Sequence, residues 1–471
     1  MSAHLLVASN RGPVSFSYGP DGGLHVRRGG GGLVSGLGAA TRSGDALWVC
    51  SALSAADRTA AHGNNGHIDD AFDAPIRMLD IPSEIHHQAY NGIANSVLWF
   101  INHMLYDLPN MPAFDDAFRD QWAAYVTYNE TFARALAEEA ADGAKVVIQD
   151  YHLMLAPGML RELRPDLRIG HFMHTPWAPP EYFDVLPDDI AEALVWGLLG
   201  ADNAGFLTQR WADAFVGCAR RVHGVEADGS RLTADGRTTT ISAHSLGVDA
   251  ADLLARAAED DVEDRLEGLR QWANGRQVIV RIDRTELSKN IVRGLLAFQD
   301  LLERYPDLRG QVVHLVFAYP SREDLAEYRS YTATVRRTAQ AINEQYAMAD
   351  WTPIQLQVTD DYARSLAAMR LADVLVVNPI RDGMNLVAKE GPILSDDGVA
   401  LVLSREAGAA AELGGDAFVV NPYDVVATAD AIYDGLTMDP AKRRWRSERL
   451  AHTAGSRTPQ TWFAEQLAAL D

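Results

Sequence analysis

Asp382 and Glu390 stand eight residues apart in the segment DVLVVNPIRDGMNLVAKE, residues 373–390. The apolar run Val374–Val377 predicts a buried strand, and Asn378-Pro379 ends it. Arg381-Asp382-Gly383 turns the chain, and a helix is expected to open at Met384. Asp382 then lies just before the helix and Glu390 about two turns into it. Free backbone N–H groups and the positive end of the helix dipole would make an anion cradle, with a carboxylate on each side to read hydroxyls. A sugar nucleotide needs that combination, phosphates on amides and hydroxyls on acids. An ordinary strand-to-helix turn with solvated charges is the plainer alternative.

Other segments offer matching chemistry. Arg284 and Lys289, in RIDRTELSKN, follow an apolar strand run and suit a diphosphate, whose departing charge they would neutralise without a metal. Asp150 and His152 in QDYHL, and His174 in HTPW, also follow apolar runs, although a lone histidine is more often a structural hydrogen-bonder. Arg11, Trp48, Tyr90, Trp99 and Arg322 are scattered near strand ends or loops. Rings beside arginines suit a sugar phosphate, but spacing alone does not group these five. Gly29–Gly32 follow Arg27-Arg28 and allow close backbone approach to an anion; a flexible surface loop is the alternative. That run fits neither G-x-G-x-x-G nor G-x-x-x-x-G-K-[ST], and no H-x-x-x-H spacing predicts a metal site.

The elements that must position these residues alternate throughout, as in α/β layers around a parallel sheet. Expected strands in the first half are Leu5–Ala8, Leu47–Cys50, Lys145–Ile148, Ile169–Met173, Asn203–Leu207 and Thr239–Ser242. The pattern restarts with Val278–Arg281, Val312–Phe317, Ile354–Val358, Val374–Val377, Ala400–Leu403 and Ala417–Val420. Phe114–Ala140 reads as an amphipathic helix, and an apolar helix around Trp462–Leu470 is expected to dock. An acidic, charge-rich stretch at 247–274 puts a domain boundary near residue 245, and two α/β domains would hold ligands in a cleft at the carboxyl ends of their strands.

At 471 residues the chain exceeds what one core usually holds. A net charge of −22 argues against a nucleic-acid partner, while clustered arginines and lysines can still define a local phosphate site. The N-terminus reads as a first strand, and no run is long and apolar enough for a membrane span. Cys50 and Cys218 show neither metal-ligand spacing nor a disulfide framework, so a reducing, cytoplasmic location is expected.

The segments SNRGP, GGL, YNGIANSVLW, QDYHL, HTPW, RTELSK, SREDL, DGMNLVAKE, SREAGAAAELG and VNPYD, in that order, make the chain resemble the trehalose-6-phosphate synthases of glycosyltransferase family 20 nearly end to end. The resemblance implies a GT-B fold, two Rossmann-like domains whose parallel sheets face across a cleft. Residues 1–245 would bind the acceptor, residues 246–455 the nucleotide sugar, and a C-terminal helix at about 456–471 would return to the first domain. Carried over, the diphosphate clamp falls on Arg284 and Lys289 with the amides of Asn385, Leu386 and Val387. Glu390 would bind the ribose, and backbone near Tyr362 the base. His174, Asp382, Gly383 and Met384 would contact the donor glucose, with Gly32 closing over the donor. Arg11, Trp48, Tyr90, Trp99, Asp150 and Arg322 would meet the acceptor.

The implied reaction is retaining transfer of glucose from UDP- or GDP-glucose to glucose 6-phosphate, with no metal or other cofactor. Its partners would be small molecules, without nucleic acid or membrane; a homo-oligomer stays open. Gln149, Asn290 and Trp177 depart from common family residues and put nucleotide preference and loop motion in doubt. A pseudo-glycosyltransferase joining cyclitols and a catalytically idle sugar-phosphate sensor are the rival readings. A dinucleotide-dependent oxidoreductase is a weaker one, for want of the fingerprint.

Overall fold

Seven parallel strands form the body of the first sheet: β1 (Ala3–Ser9), β2 (Ala46–Ser51), β3 (Ile76–Leu79), β4 (Ala140–Gln149), β5 (Arg168–Met173), β6 (Asn203–Phe206) and β7 (Arg237–Ala243). Their spatial order is β7-β6-β5-β4-β1-β2-β3. The computed structural model describes residues 2–29, 46–62, 64–68 and 74–471. Gly32, and with it most of the glycine run, lies outside the described residues.

A second sheet holds β8 (Gln277–Arg284), β9 (Val312–Tyr319), β10 (Ile354–Gln357), β11 (Val374–Val377), β12 (Ala400–Ser404) and β13 (Phe418–Val420). All six are parallel, in the order β10-β9-β8-β11-β12-β13. Leu6, Val7, Ala8, Val146, Ile148, Ile279, Val280, Leu401 and Val402 have no exposed surface. Parallel strands are covered on both faces, which is why they read as unbroken apolar runs. Each of the twelve runs expected as a strand overlaps one of these thirteen, and Asn203–Leu207, Ile354–Val358 and Ala417–Val420 each overrun theirs by one residue.

The chain divides into two compact units, Met1–Leu246 with Pro459–Asp471, and Gly247–Thr458. Each has the doubly wound order in which the first strand lies beside the fourth. In the first unit β1 neighbours β4, and in the second β8 neighbours β11. At such a switch point the following loops leave in opposite directions and open a crevice at the strands' carboxyl ends.

Helix α1 (Asp116–Glu139) starts where Asp115 accepts the Phe118 N–H at 3.0 Å, and it buries Tyr125, Tyr128, Phe132 and Leu136 along one face. In the second unit α2 spans Tyr362–Leu371 and α3 spans Val387–Leu394. α3 therefore starts three residues after the expected Met384, and Glu390 lies in its first turn. Asn385 is the reason: its φ of 73° is left-handed and cannot continue a helix, while its Oδ1 accepts the Ala388 N–H at 3.2 Å. Helix α4 (Pro459–Ala468) buries Trp462 and Phe463 within the first unit, and Leu470 follows it against Gly170 of β5.

Strand β3 is not among the expected runs, because buried Arg77, paired with Glu139, interrupts its short apolar stretch. Three antiparallel additions also escaped the sequence reading, one of them His67–Ile68 beside β3. Val14–Tyr18 pairs with Leu24–Arg28, and a meander of Val225–Asp228 and Arg231–Ala234 extends the sheet beyond β7. Short polar strands with half-exposed faces lack the apolar run by which the others show themselves. Among the described residues no helix is long and apolar enough to cross a membrane.

Candidate active site

In the second unit, the loops after β8 and β11 carry the candidate site residues, on either side of the switch point. Arg284 closes β8, and a short turn at Leu287–Lys289 brings Lys289 Nζ to 2.6 Å from Asp382 Oδ2. Asn385 Nδ2 donates to the same oxygen at 3.1 Å. Burial pulls the Lys289 ammonium down, yet Asp382, Asp283 and Glu286 more than reverse this, so it stays protonated above the usual lysine value.

A buried layer holds this turn. The guanidinium of Arg281, without exposed surface, donates to the Lys289 carbonyl and to Asn378 Oδ1 and pairs with Asp283. Burial pushes the Asp283 carboxyl up to about 6, against the pull of Arg281 and Lys289. Asn290 has φ 59°, a conformation in which asparagine is the usual substitute for glycine. Its Nδ2 donates to the carbonyls of Asn378 (3.0 Å) and Pro422 (2.7 Å), tying the turn to two neighbouring loops. The departure at this position thus supports the backbone that glycine would otherwise supply.

Glu286 is the residue that sequence reasoning passed over. Its side chain has no exposed surface; Arg284 Nη1 lies 2.9 Å from Oε1, Ser321 Oγ donates to Oε1 at 2.9 Å, and Arg322 Nη1 lies 3.9 Å from Oε2. Burial raises its pKa, but the charges of Arg284, Arg322 and Lys289 outweigh burial and hold it at about 2. The signal was present: an acid between two cations in the six-residue stretch RTELSK. Arg322, expected among the acceptor residues, belongs to the second unit and meets Arg284 through this acid. A backbone φ of 47° and a 2.6 Å hydrogen bond to the Tyr328 hydroxyl hold it there.

Asp382 to Met384 are pinned from the loop after β12. The Asp382 N–H donates to the Glu406 carbonyl, the Gly408 N–H to Asp382, and the Ala409 N–H to Met384. A Cβ on Gly408 would come within 1.9 Å of the Gly383 carbonyl, so only glycine allows this approach. Leu386, at the N-cap of α3, has no side-chain acceptor for the helix's first amides. Glu390 is half-buried, its carboxyl pushed up to about 7 by burial, and its charge helps raise the Tyr362 hydroxyl. That tyrosine opens α2 and is 53% exposed.

In the first unit the strand ends β1 and β4 flank the switch point. Arg11 follows β1 and is exposed. Trp48, within β2, has no exposed surface; its indole N–H donates to Ser9 Oγ at 2.7 Å, and that hydroxyl donates to the Arg11 carbonyl at 2.6 Å. Trp48 thus touches the Arg11 backbone through Ser9 and sits inside the sheet. Asp150 follows β4 with φ 72° and ψ 173°, a region that costs a non-glycine residue about 1–3 kcal/mol and collects at functional sites. Its Oδ1 accepts the His174 N–H at 3.2 Å. His174 Nε2 meets Gln149 Oε1 at 2.7 Å, and burial lowers the imidazole to about 3, so it is neutral.

Tyr90 and Trp99 come from a π-helical run, Gln88–Leu98, and the turn after it. Tyr90 stacks on His152 (ring centroids 5.5 Å apart) and Trp99 packs on Tyr151 (5.7 Å), so QDYHL steadies both aromatic residues. Among the described residues no cluster of histidine, cysteine or carboxylate could hold a metal ion.

The sequence matches the family description Glycosyltransferase family 20 over residues 3–471. The chain belongs to glycosyltransferase family 20. A trehalose-6-phosphate synthase of Mycobacterium avium is 34% identical over 469 residues, 96% of this chain and 93% of that protein. A structure from E. coli bound with UDP-2-fluoro glucose aligns at a TM-score of 0.87 and 28% identity, covering 99% of this chain and 98% of that one. A UDP-forming α,α-trehalose-phosphate synthase from Burkholderia xenovorans in complex with glucose-6-phosphate aligns at 0.86 and 28%, covering 99% of both chains. The family 20 chain is a glycosyltransferase of the trehalose-phosphate synthase type, and its two Rossmann-like units are those of the GT-B fold.

Proposed function

We propose that this family 20 enzyme transfers glucose from UDP-glucose to glucose 6-phosphate with retention, forming α,α-trehalose 6-phosphate and UDP. The observation that carries the reading is the cation cluster of Arg284, Lys289 and Arg322 around buried Glu286, beside the Lys289–Asp382 pair at the switch point of the second sheet. Such a cluster suits a leaving diphosphate. The glucose hydroxyls fall to Asp382 and His174 and the ribose to Glu390. Arg11, Tyr90, Trp99 and Asp150 take the acceptor. UDP is preferred over GDP because the E. coli relative is bound with UDP-2-fluoro glucose and the Burkholderia xenovorans relative is named as UDP-forming.

Retention by double displacement needs a carboxylate nucleophile. The Asp150 carboxylate accepts a main-chain N–H, and we assign it to the acceptor. In the front-face alternative the acceptor oxygen bonds to the anomeric carbon as the bond to the diphosphate oxygen breaks. The acceptor proton passes to that leaving oxygen, while Arg284 and Lys289 hold its charge. No metal enters this scheme, since those cations supply the neutralisation. We place the enzyme in the cytoplasm, in keeping with Cys50 and Cys218, both buried and unbridged.

Incubation with glucose 6-phosphate and each of UDP-, GDP- and ADP-glucose, followed by assay of trehalose 6-phosphate, tests the reading. Product with UDP-glucose supports it, product with GDP-glucose alone corrects the base, and no product with any donor overturns it. A glucosyl group trapped on Asp150 would sink the front-face step.

A further inference from the structure

Helix α4 brings two side chains to bear on His174. Trp462 stands edge-on to the imidazole with ring centroids 5.4 Å apart, and Gln466 reaches Gln149. Gln149 Nε2 donates to Gln466 Oε1 at 3.2 Å, and Gln149 Oε1 meets His174 Nε2 at 2.7 Å. Gln149 has no exposed surface and Gln466 has 5%, so water does not substitute for either partner.

A primary amide has one donating and one accepting end, and the neighbour at one end settles which end is left for the other. Gln466 presents Oε1 to Gln149, while its own Nε2 is buried without a partner; in this arrangement Gln149 turns its oxygen to the imidazole. The ring then carries its proton on Nε2, and Nδ1 is a bare acceptor. Phe172, edge-on at 5.1 Å, and the His174 N–H bond to Asp150 fix the ring's place.

We infer that Gln466 is a positioning residue for the transfer reaction, fixing through Gln149 the His174 tautomer that accepts a hydrogen from a hydroxyl of the donor hexose. The kinetic half of this inference rests on the proposed function; the tautomer does not. Nothing in the sequence near position 466 points to position 174, and the link exists because the last helix packs on the carboxyl ends of β4 and β5.

Two variants of the full chain separate the possibilities. Gln466→Met keeps the volume and removes the acceptor, whereas Gln466→Glu keeps an acceptor. Imidazole nitrogen–proton correlation spectra read the His174 tautomer directly. The wild type and Q466E are expected to hold the proton on Nε2, and Q466M to show a mixture or the other tautomer. Donor KM is expected to rise about tenfold in Q466M with acceptor KM unchanged, and to return in Q466E. A wild-type ring protonated on Nδ1, or Q466M with wild-type spectra and donor KM, overturns the inference. Should Q466M fail to fold, Gln466→Leu, which also lacks the acceptor, takes its place with the same expected and overturning outcomes. Absence of product from the wild type would overturn the function, and the spectra would decide the tautomer regardless.

Discussion

At the scale of single residues, the candidate site holds charges in unusual states. Glu286 is an acid whose folded pKa lies at about 2, below its ordinary value, so its contribution to stability is present above the ordinary carboxylate range and lost as pH falls through about 2. Glu286→Gln, which mimics the protonated acid, is expected to cost on the order of a few kcal/mol at neutral pH. Denaturant melts from pH 7 down to 2 should show the gap to the wild type closing. Glu390 runs the other way: burial raises it to about 7, so its contribution to apo stability is present below the ordinary carboxylate range and lost as pH rises through 7. A ribose hydroxyl would favour its charged form. UDP affinity, measured by calorimetry, should therefore strengthen from pH 6 to pH 8, and Glu390→Gln should flatten that dependence. Lys289→Met removes the cation nearest Asp382 and is expected to lower kcat by about a hundredfold to a thousandfold, on the pattern of lost transition-state donors. An unchanged kcat would remove Lys289 from the chemistry.

At the scale of elements, backbone geometry at two loops decides where those charges stand. Asn290 combines a left-handed φ with side-chain bonds to two loops. Asn290→Gly keeps the conformation and loses the bonds, whereas Asn290→Ala loses both. Thermal melts should rank wild type above N290G above N290A, with about 1 kcal/mol between the last two. Gly408→Ala would drive a Cβ into the Gly383 carbonyl and displace the Asp382 loop. Donor KM is expected to rise far more than acceptor KM; equal effects on the two would show that the loop does not serve the donor alone. The late start of α3 belongs to this scale as well. DGMN reads as the opening of a helix by spacing, but left-handed Asn385 delays the first turn and leaves Asp382 to Lys289.

At the scale of the whole molecule, residues from both ends of the chain build the first unit. Trp462 and Phe463 are buried there, and Lys145 Nζ pairs with Asp471 at 2.5 Å. Ending the chain at Thr458 would uncover the faces these aromatic residues fill. Burying a large apolar side chain is worth about 1.5–3 kcal/mol, so the two together predict a loss of roughly 3–6 kcal/mol. Selective melting of the first unit, followed by hydrogen exchange in β4 and β5, would show it. The chain carries a net charge of −22, so affinity of the proposed site for anions has to come from the local cations. Because those cations carry the leaving charge in the proposed scheme, EDTA should leave kcat unchanged; lost activity restored by a divalent ion would contradict the scheme.

Much of the strand framework was legible in the sequence, because parallel strands covered on both faces appear as apolar runs of four to eight residues. The loops after those runs, and hence Arg284, Lys289, Asp150, His174 and Asp382, could be named for the same reason. Polar hairpin strands were not legible, since half-exposed faces carry no such run. Neither was the grouping of sites. Spacing cannot show that Arg322 and Arg284 share Glu286, that Trp48 lies inside the sheet, or that Gln466 reaches Gln149. Residue type and local pattern fix which groups can act on phosphate or hydroxyl. Which of them share a partner, which way a side-chain amide points, and which carboxyl stays ionised depend on burial and on contacts between distant segments, and only the packed chain decides those.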